Sequence, residues 1–198
     1  MKNVLLIIGL LAISMSSQAQ IEKLSGPRVG FTYITPGLLI DNLSDLPNIG
    51  EANPVIAQFG WQLETRFMDE GNTAGIVEFI GMIGGFEQGL FLPSISTLVG
   101  FRKNTGFEMA VGPNLSLSGV GMVIGAGFNF KSGNLNFPVN IAFVPGVTKL
   151  HESGGDYIGE TINPVTGYTE AQFTPYVEEF RNTGHRISII VGFNSSRN

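Results

Sequence analysis

Six charged residues share one side of an apolar/polar alternation: Glu64, Arg66, Glu78, Arg102, Glu108 and Lys131. Brought into one interior, three acids and three bases must pair, because a buried charge is tolerated only with a partner. The pattern predicts a salt-bridge network, and a narrow ion path is the alternative the same residues allow. A second set could do acyl transfer. His151 and His185 are the chain's two histidines, and Glu152 and Ser153 lie beside the first. That chemistry needs a nucleophile, a base and an orienting acid in contact, and no motif here brings them together. Glu178, Glu179 and Asp156 could ligate a divalent cation, but calcium-loop spacing is absent. No metal or cofactor is expected. With no cysteine, thiol nucleophiles, disulfides, cysteine zinc sites and a lipid-modified cysteine are excluded. A net charge of −5 without a basic run argues against nucleic acid as a partner.

The elements that must hold these charges have a period of two. Eight segments show it: RVGFTYI, VIAQFGWQLETRF, GIVEFIGMIGGF, PSISTLVGFR, FEMAVGPNLSLS, a sixth from near Val120 through FNF, LNFPVNIAFV, and HRISIIVGFN. The second sets Val55, Ala57, Phe59, Trp61, Leu63 and Phe67 against Gln58, Gly60, Gln62, Glu64 and Arg66. The third is the least regular, and its glycines point to a bulge. It carries Ile80, Met82 and Phe86 on the face of Glu78, so part of the polar side is apolar. Leu98 interrupts that side in the fourth. Pro93, Pro113 and Pro138 fall inside strands, where each removes a ladder hydrogen bond, and a bulge is expected at Pro113.

The connections alternate. DEGN (69–72), KNTG (103–106) and KSGN (131–134) are compact hairpin turns. Residues 35–54 and 147–184 are long and irregular. An even-stranded membrane barrel puts both termini and every second, short connection on the periplasmic side, with long loops outside. The chain follows that rule, apart from a short third outer loop near Ser118–Gly119.

Composition selects the solvent. Charged residues are 14% and hydrophobic ones 43%, against about 25% charged in an average soluble domain. Residues 1–19, with Lys2 before VLLIIGLLAI and small residues at Ser17 and Ala19, read as a secretory signal peptide. Residues 20–198 then form one domain without a segment apolar enough for a membrane helix. An exported, apolar chain of this kind is expected to be an all-β, up-and-down, transmembrane β-barrel of eight strands. Its polar side is mostly Gly, Ala, Ser, Asn and Gln, which suits a narrow lumen. Its other side is too bulky to be enclosed by eight strands. Phe67, Phe101, Phe107, Phe130, Phe137 and Phe193 all fall at the predicted periplasmic rim, as an aromatic girdle would.

The signal ending in AQ, the eight segments, the GPNLSLSG hairpin and the strand ISIIVGF resemble small outer-membrane β-barrel proteins of Bacteroidota. The architecture is similar to OmpA-type and OmpX-type barrels, and the likeness covers nearly the whole chain after the signal. Barrels of this class often end on an aromatic residue read by the assembly machinery, whereas here NSSRN follows Phe193. The family is largely without assigned activity and supplies no functional residues. The resemblance implies an outer-membrane location and contact with outer-membrane lipid. The leading expectation is a non-enzymatic barrel with a plugged lumen, structural or a subunit of an outer-membrane complex. Its partners would be other outer-membrane or surface proteins, met by the last long loop through Tyr157, Tyr168, Phe173, Tyr176 and Phe180. Some eight-stranded barrels are lipid A palmitoyltransferases or deacylases with His and Ser near the outer rim, so a lipid-modifying enzyme is the first alternative. A soluble secreted barrel that binds a hydrophobic ligand is the second.

Overall fold

A strand whose neighbours alternate between bulky apolar and small polar residues has two unlike faces, and it must hide one of them. In a computed structural model describing residues 23–47, 49–165 and 167–195, the chain does so by closing a sheet. The elements begin with β1 (Gly26–Ile34), α1 (Leu38–Ser44), β2 (Val55–Glu70), β3 (Thr73–Gly84), β4 (Leu92–Lys103) and β5 (Phe107–Ser116). There follow β6 (Gly119–Ser132), β7 (Leu135–Val144), β8 (Thr148–Ser153), β9 (Tyr157–Ile162), β10 (Thr169–Phe173), β11 (Val177–Asn182), β12 (Arg186–Gly192) and β13 (Asn194–Ser195). β1 to β7 pair in sequence as antiparallel neighbours, and β12 pairs with both β7 and β1. The result is a closed eight-stranded antiparallel barrel. The expected signal peptide, residues 1–19, lies outside the described residues.

One end of the barrel, the turn end, carries the tight connections. Gly71-Asn72 and Gly133-Asn134 are two-residue turns with glycine φ of 57° and 59°. That left-handed conformation suits a hairpin whose strands twist to the right. The opposite, loop end carries the longer connections, apart from the two-residue link Leu117-Ser118 between β5 and β6. α1 covers it there, packing Leu39 and Leu43 with Ile49, Ala52, Leu90 and Leu92. Arg181 fastens α1 through an ion pair to Asp41 at 2.6 Å.

Three expectations need correction. The segment 147–184 is not irregular: β8 pairs with β11 and β9 with β10, forming a two-tier β-hairpin arm beyond β7 and β12. Lys149 steadies its base by donating to the Ser118 carbonyl at 2.6 Å. The irregularity expected in the third segment lies across from it. The register shifts between Arg66 and Met68, opposite Gly75, and the Phe67 ring lies over that glycine, where a Cβ would stand 2.7 Å away. Pro113 causes no bulge, because the β4–β5 register is the same on both sides of it. The ladder instead lacks pairs between Ser96–Asn114 and Val99–Val111, as a residue without an N–H dictates. Pro138 has the same effect opposite the break between β12 and β13.

Substituting Gly133→Val should cost about 1–2 kcal/mol, the penalty of a β-branched residue in the left-handed region. Ser132→Val beside it should be near neutral. Urea-unfolding midpoints of the refolded variants check this.

Candidate functional site

Parity assigns every barrel side chain to one of two environments. On β1, Arg28, Thr32 and Ile34 are buried while Val29, Phe31 and Tyr33 are exposed. On β2, Ile56, Gln62 and Glu64 are buried and Phe59, Trp61 and Leu63 exposed. The small polar side is therefore the interior. Ile80 and Met82 point inward with Glu78, as expected, but Phe86 does not. Gly85 adopts a left-handed φ of 87° and redirects the chain, so Phe86 stacks outside on Phe59 at 5.7 Å.

At the turn end of the interior the charges converge on Arg102. Its guanidinium forks onto Glu64, Nη1 and Nη2 donating to the two carboxylate oxygens at 2.7 Å each. It also donates to Glu108 at 2.6 Å and stands 3.6 Å from Glu78. These four side chains are buried. Glu78 accepts from the Gln62 amide at 2.6 Å, and Gln62 in turn accepts from Arg28 Nε at 2.9 Å. Arg28 continues the chain to Asn194 Oδ1 at 3.0 Å and to the Leu24 carbonyl. Asn194 donates to the Ser25 carbonyl, so the network ties β1, β2, β3, β4, β5 and β13 to the incoming N-terminal segment.

Four of the six charges read from the sequence thus meet. Arg66 and Lys131 share their parity but lie toward the turn-end rim, half-buried, and Arg66 pairs with Asp69 at 3.1 Å. Gln62 and Asn194 stand on the polar parity of the second and last segments, but the sequence reading did not join them to the charges. Arg28 was missed, and its signal was the inward parity of β1.

Above this cluster lies an apolar layer of Leu98, Val123 and Val144, flanked by Ile80, Ala110 and Ala142. Leu98 is therefore the keystone of an inner apolar layer. Beyond it, hydroxyls and amides return: Thr32 and Ser188 share a hydrogen bond at 2.7 Å, and Asn114 donates to Ser96 Oγ at 2.9 Å.

The six phenylalanines of the expected girdle lie on outward positions at the turn end. Phe101 approaches Phe107 at 6.3 Å and Phe137 meets Phe193 edge-on at 5.6 Å. Phe130 packs on Phe128 at 5.1 Å, and Phe67 is exposed. The loop end carries aromatics that the sequence reading did not group. Phe86 lies 6.0 Å from Phe91, and Phe143 stacks on His185 at 5.7 Å.

The arm does not assemble the acyl-transfer set. His151 and Ser153 share a face of β8, two positions and so about 6.6 Å apart along the strand. Glu152 points to the other face. His185 sits at the barrel rim, its Nδ1 accepting from the Gly146 N–H at 3.0 Å. Among the described residues no group of acids and histidines converges as a metal site. The aromatics of the arm are exposed, with Tyr157 and Phe173 in edge contact at 5.9 Å. Tyr168 and Phe180 are 76% and 78% exposed. No family model, curated protein or solved structure matches the chain, so the likeness to Bacteroidota barrels rests on its pattern alone.

Arg102→Met should destabilise the barrel by about 3–5 kcal/mol, because it strands buried carboxylates without their partner. Lysine should not restore it, since one ammonium cannot fork onto Glu64 and reach Glu108. Glu78→Gln should cost under about 1 kcal/mol, its nearest partner being a neutral amide. Urea titration followed by the folded and unfolded gel bands measures all three.

Proposed function

We propose that this protein is an integral outer-membrane β-barrel whose lumen is closed by the Arg102 cluster and the apolar layer above it. It does no chemistry of its own and serves as a structural component, or as a subunit that meets other outer-membrane or surface proteins through the 147–184 arm. The observation that carries this reading is the outward face. Leu63 is 59% exposed, Ile95 60% and Ile141 57%, and they belong to an apolar surface that continues around the strands. Soluble monomers rarely expose contiguous apolar patches beyond a few hundred Å². Lipid is the solvent that makes such a surface favourable, and the aromatics at both ends suit its two interfaces. Nucleic acid would find no basic run in the sequence.

The arm supports the partner role. A connection this long is seldom only a connector. The arm is a folded hairpin that holds Tyr157, Tyr168, Phe173, Tyr176 and Phe180 in solvent, and exposed aromatics of this kind anchor protein contacts. Six acidic residues between 147 and 184 give it a negative character and favour a basic partner surface.

Fractionation should find the protein in the outer membrane after an alkaline wash, with heat-modifiable gel mobility. Leu63→Arg should then cost about 2–4 kcal/mol when unfolding is measured in lipid vesicles, the value for a cation near the bilayer middle. A soluble barrel would stay in the supernatant and tolerate the change within about 0.5 kcal/mol. Removing residues 154–176 joins Ser153 to Val177, which already pair. The shortened protein should keep its folded gel band and lose the partner that cross-links to the full-length arm. A cross-linked partner that survives the deletion would remove the arm from the account.

A further inference from the structure

The loop half of the lumen holds a partly open cavity of about 130 Å³. Its walls include Ile56, Ile80, Met82, Leu98 and Val123, and Leu39 and Leu43 of α1 form its roof. On one side the lining turns polar, and there stands the guanidinium of Arg186. Arg186 enters from the first residue of β12 and reaches past Gly121, whose missing side chain leaves the route open. A Cβ at Gly121 would lie 3.2 Å from Val144 Cγ1 and 3.6 Å from Arg186 Nη2. Across the lumen, Nη1 donates to Ser116 Oγ at 2.8 Å and Nη2 to Asn114 Oδ1 at 3.0 Å.

Both of those acceptors are neutral. Among the described residues no carboxylate comes within ion-pair distance of Arg186. The contrast with the turn end is direct, for Glu64, Glu78 and Glu108 all gather around Arg102. A guanidinium has five N–H donors, and a half-buried cation without an acid beside it is an incomplete interaction. The empty space next to it is apolar. A cation and an apolar void side by side are complementary to one kind of molecule.

We propose that the loop half of the lumen binds a small monocarboxylate with a short apolar tail. The carboxylate would sit on Arg186, which can fork onto it with two parallel hydrogen bonds, and the tail would fill the void under α1. The size of the void limits the tail. An apolar cavity of about 150 Å³ takes up benzene, so this one suits a chain of a few carbons and excludes a whole phospholipid. The site is independent of the Arg102 cluster and of the arm.

Butanoate, butanol and butylamine test the idea as anion, neutral and cation of equal length. Each is titrated against the full chain in lipid nanodiscs, or in buffer should the protein be soluble, by NMR line broadening of a ¹³C label. Partitioning into empty nanodiscs is subtracted. Butanoate should bind saturably, butanol at least tenfold more weakly, and butylamine not at all. Arg186→Met should weaken butanoate at least tenfold and leave butanol unchanged, and Gly121→Val should act the same way by blocking the reach of Arg186. Ile80→Trp, which fills the void, should abolish both ligands, with the folded gel band confirming each variant. Butanoate binding no better than butanol would overturn the proposal. So would an unchanged affinity in Arg186→Met, or no saturable binding to a protein that is folded.

Discussion

Closure of the sheet is the constraint on which the rest of this molecule depends. β12 bonds to β7 on one side and β1 on the other, so no strand edge is left and every side chain has two places to go. Eight strands enclose only enough room for side chains to fill. The interior therefore takes Gly, Ala, Ser and Asn at many positions, which leaves room for the long residues that enter. The bulky half of the alternation must go outside, and the solvent has to accommodate it.

The long side chains that do enter are arranged in layers. At the turn end, Arg102 holds Glu64 and Glu108, and a hydrogen-bonded chain runs through Gln62 to Arg28. The incoming N-terminal segment and β13 are secured by the same contacts. Leu98, Val123 and Val144 close the middle. Above them the interior loosens into a cavity with one guanidinium and no acid beside it. The barrel thus has an electrostatic polarity along its axis, with its enclosed carboxylates gathered at one end. The loop end adds what is variable in such folds, a helical cap and a hairpin arm joined by the Arg181–Asp41 pair.

Much of this was legible because a period of two survives in the sequence wherever the two faces meet different surroundings. Eight segments, their inward and outward residues and the short turns follow from that alone. The failures occur where the contrast disappears. Both faces of TKLHES, YIGETI, TEAQF and VEEFRN are exposed, so no alternation marks β8 to β11 as strands. Phe86 continues the pattern of β3 in the sequence, and only the left-handed turn at Gly85 takes it out of the lumen. Arg28 and Asn194 lie 166 positions apart and meet only because the barrel closes. Arg186 had the right parity, but its significance is the absence of an acid across the lumen, which no local pattern contains.

The central claim is that the apolar half of the alternation faces lipid. The chain has no cysteine, so single cysteines can be placed one by one along Leu135–Val144 and spin-labelled without background. Collision with oxygen, which concentrates in lipid, is then compared with collision with a water-soluble nickel chelate for each label in reconstituted vesicles. The account predicts oxygen maxima at 137, 139, 141 and 143 and minima at 136, 140 and 142, a period of two in phase with the exposed face. Nickel access at every position, or a period in the opposite phase, would contradict it.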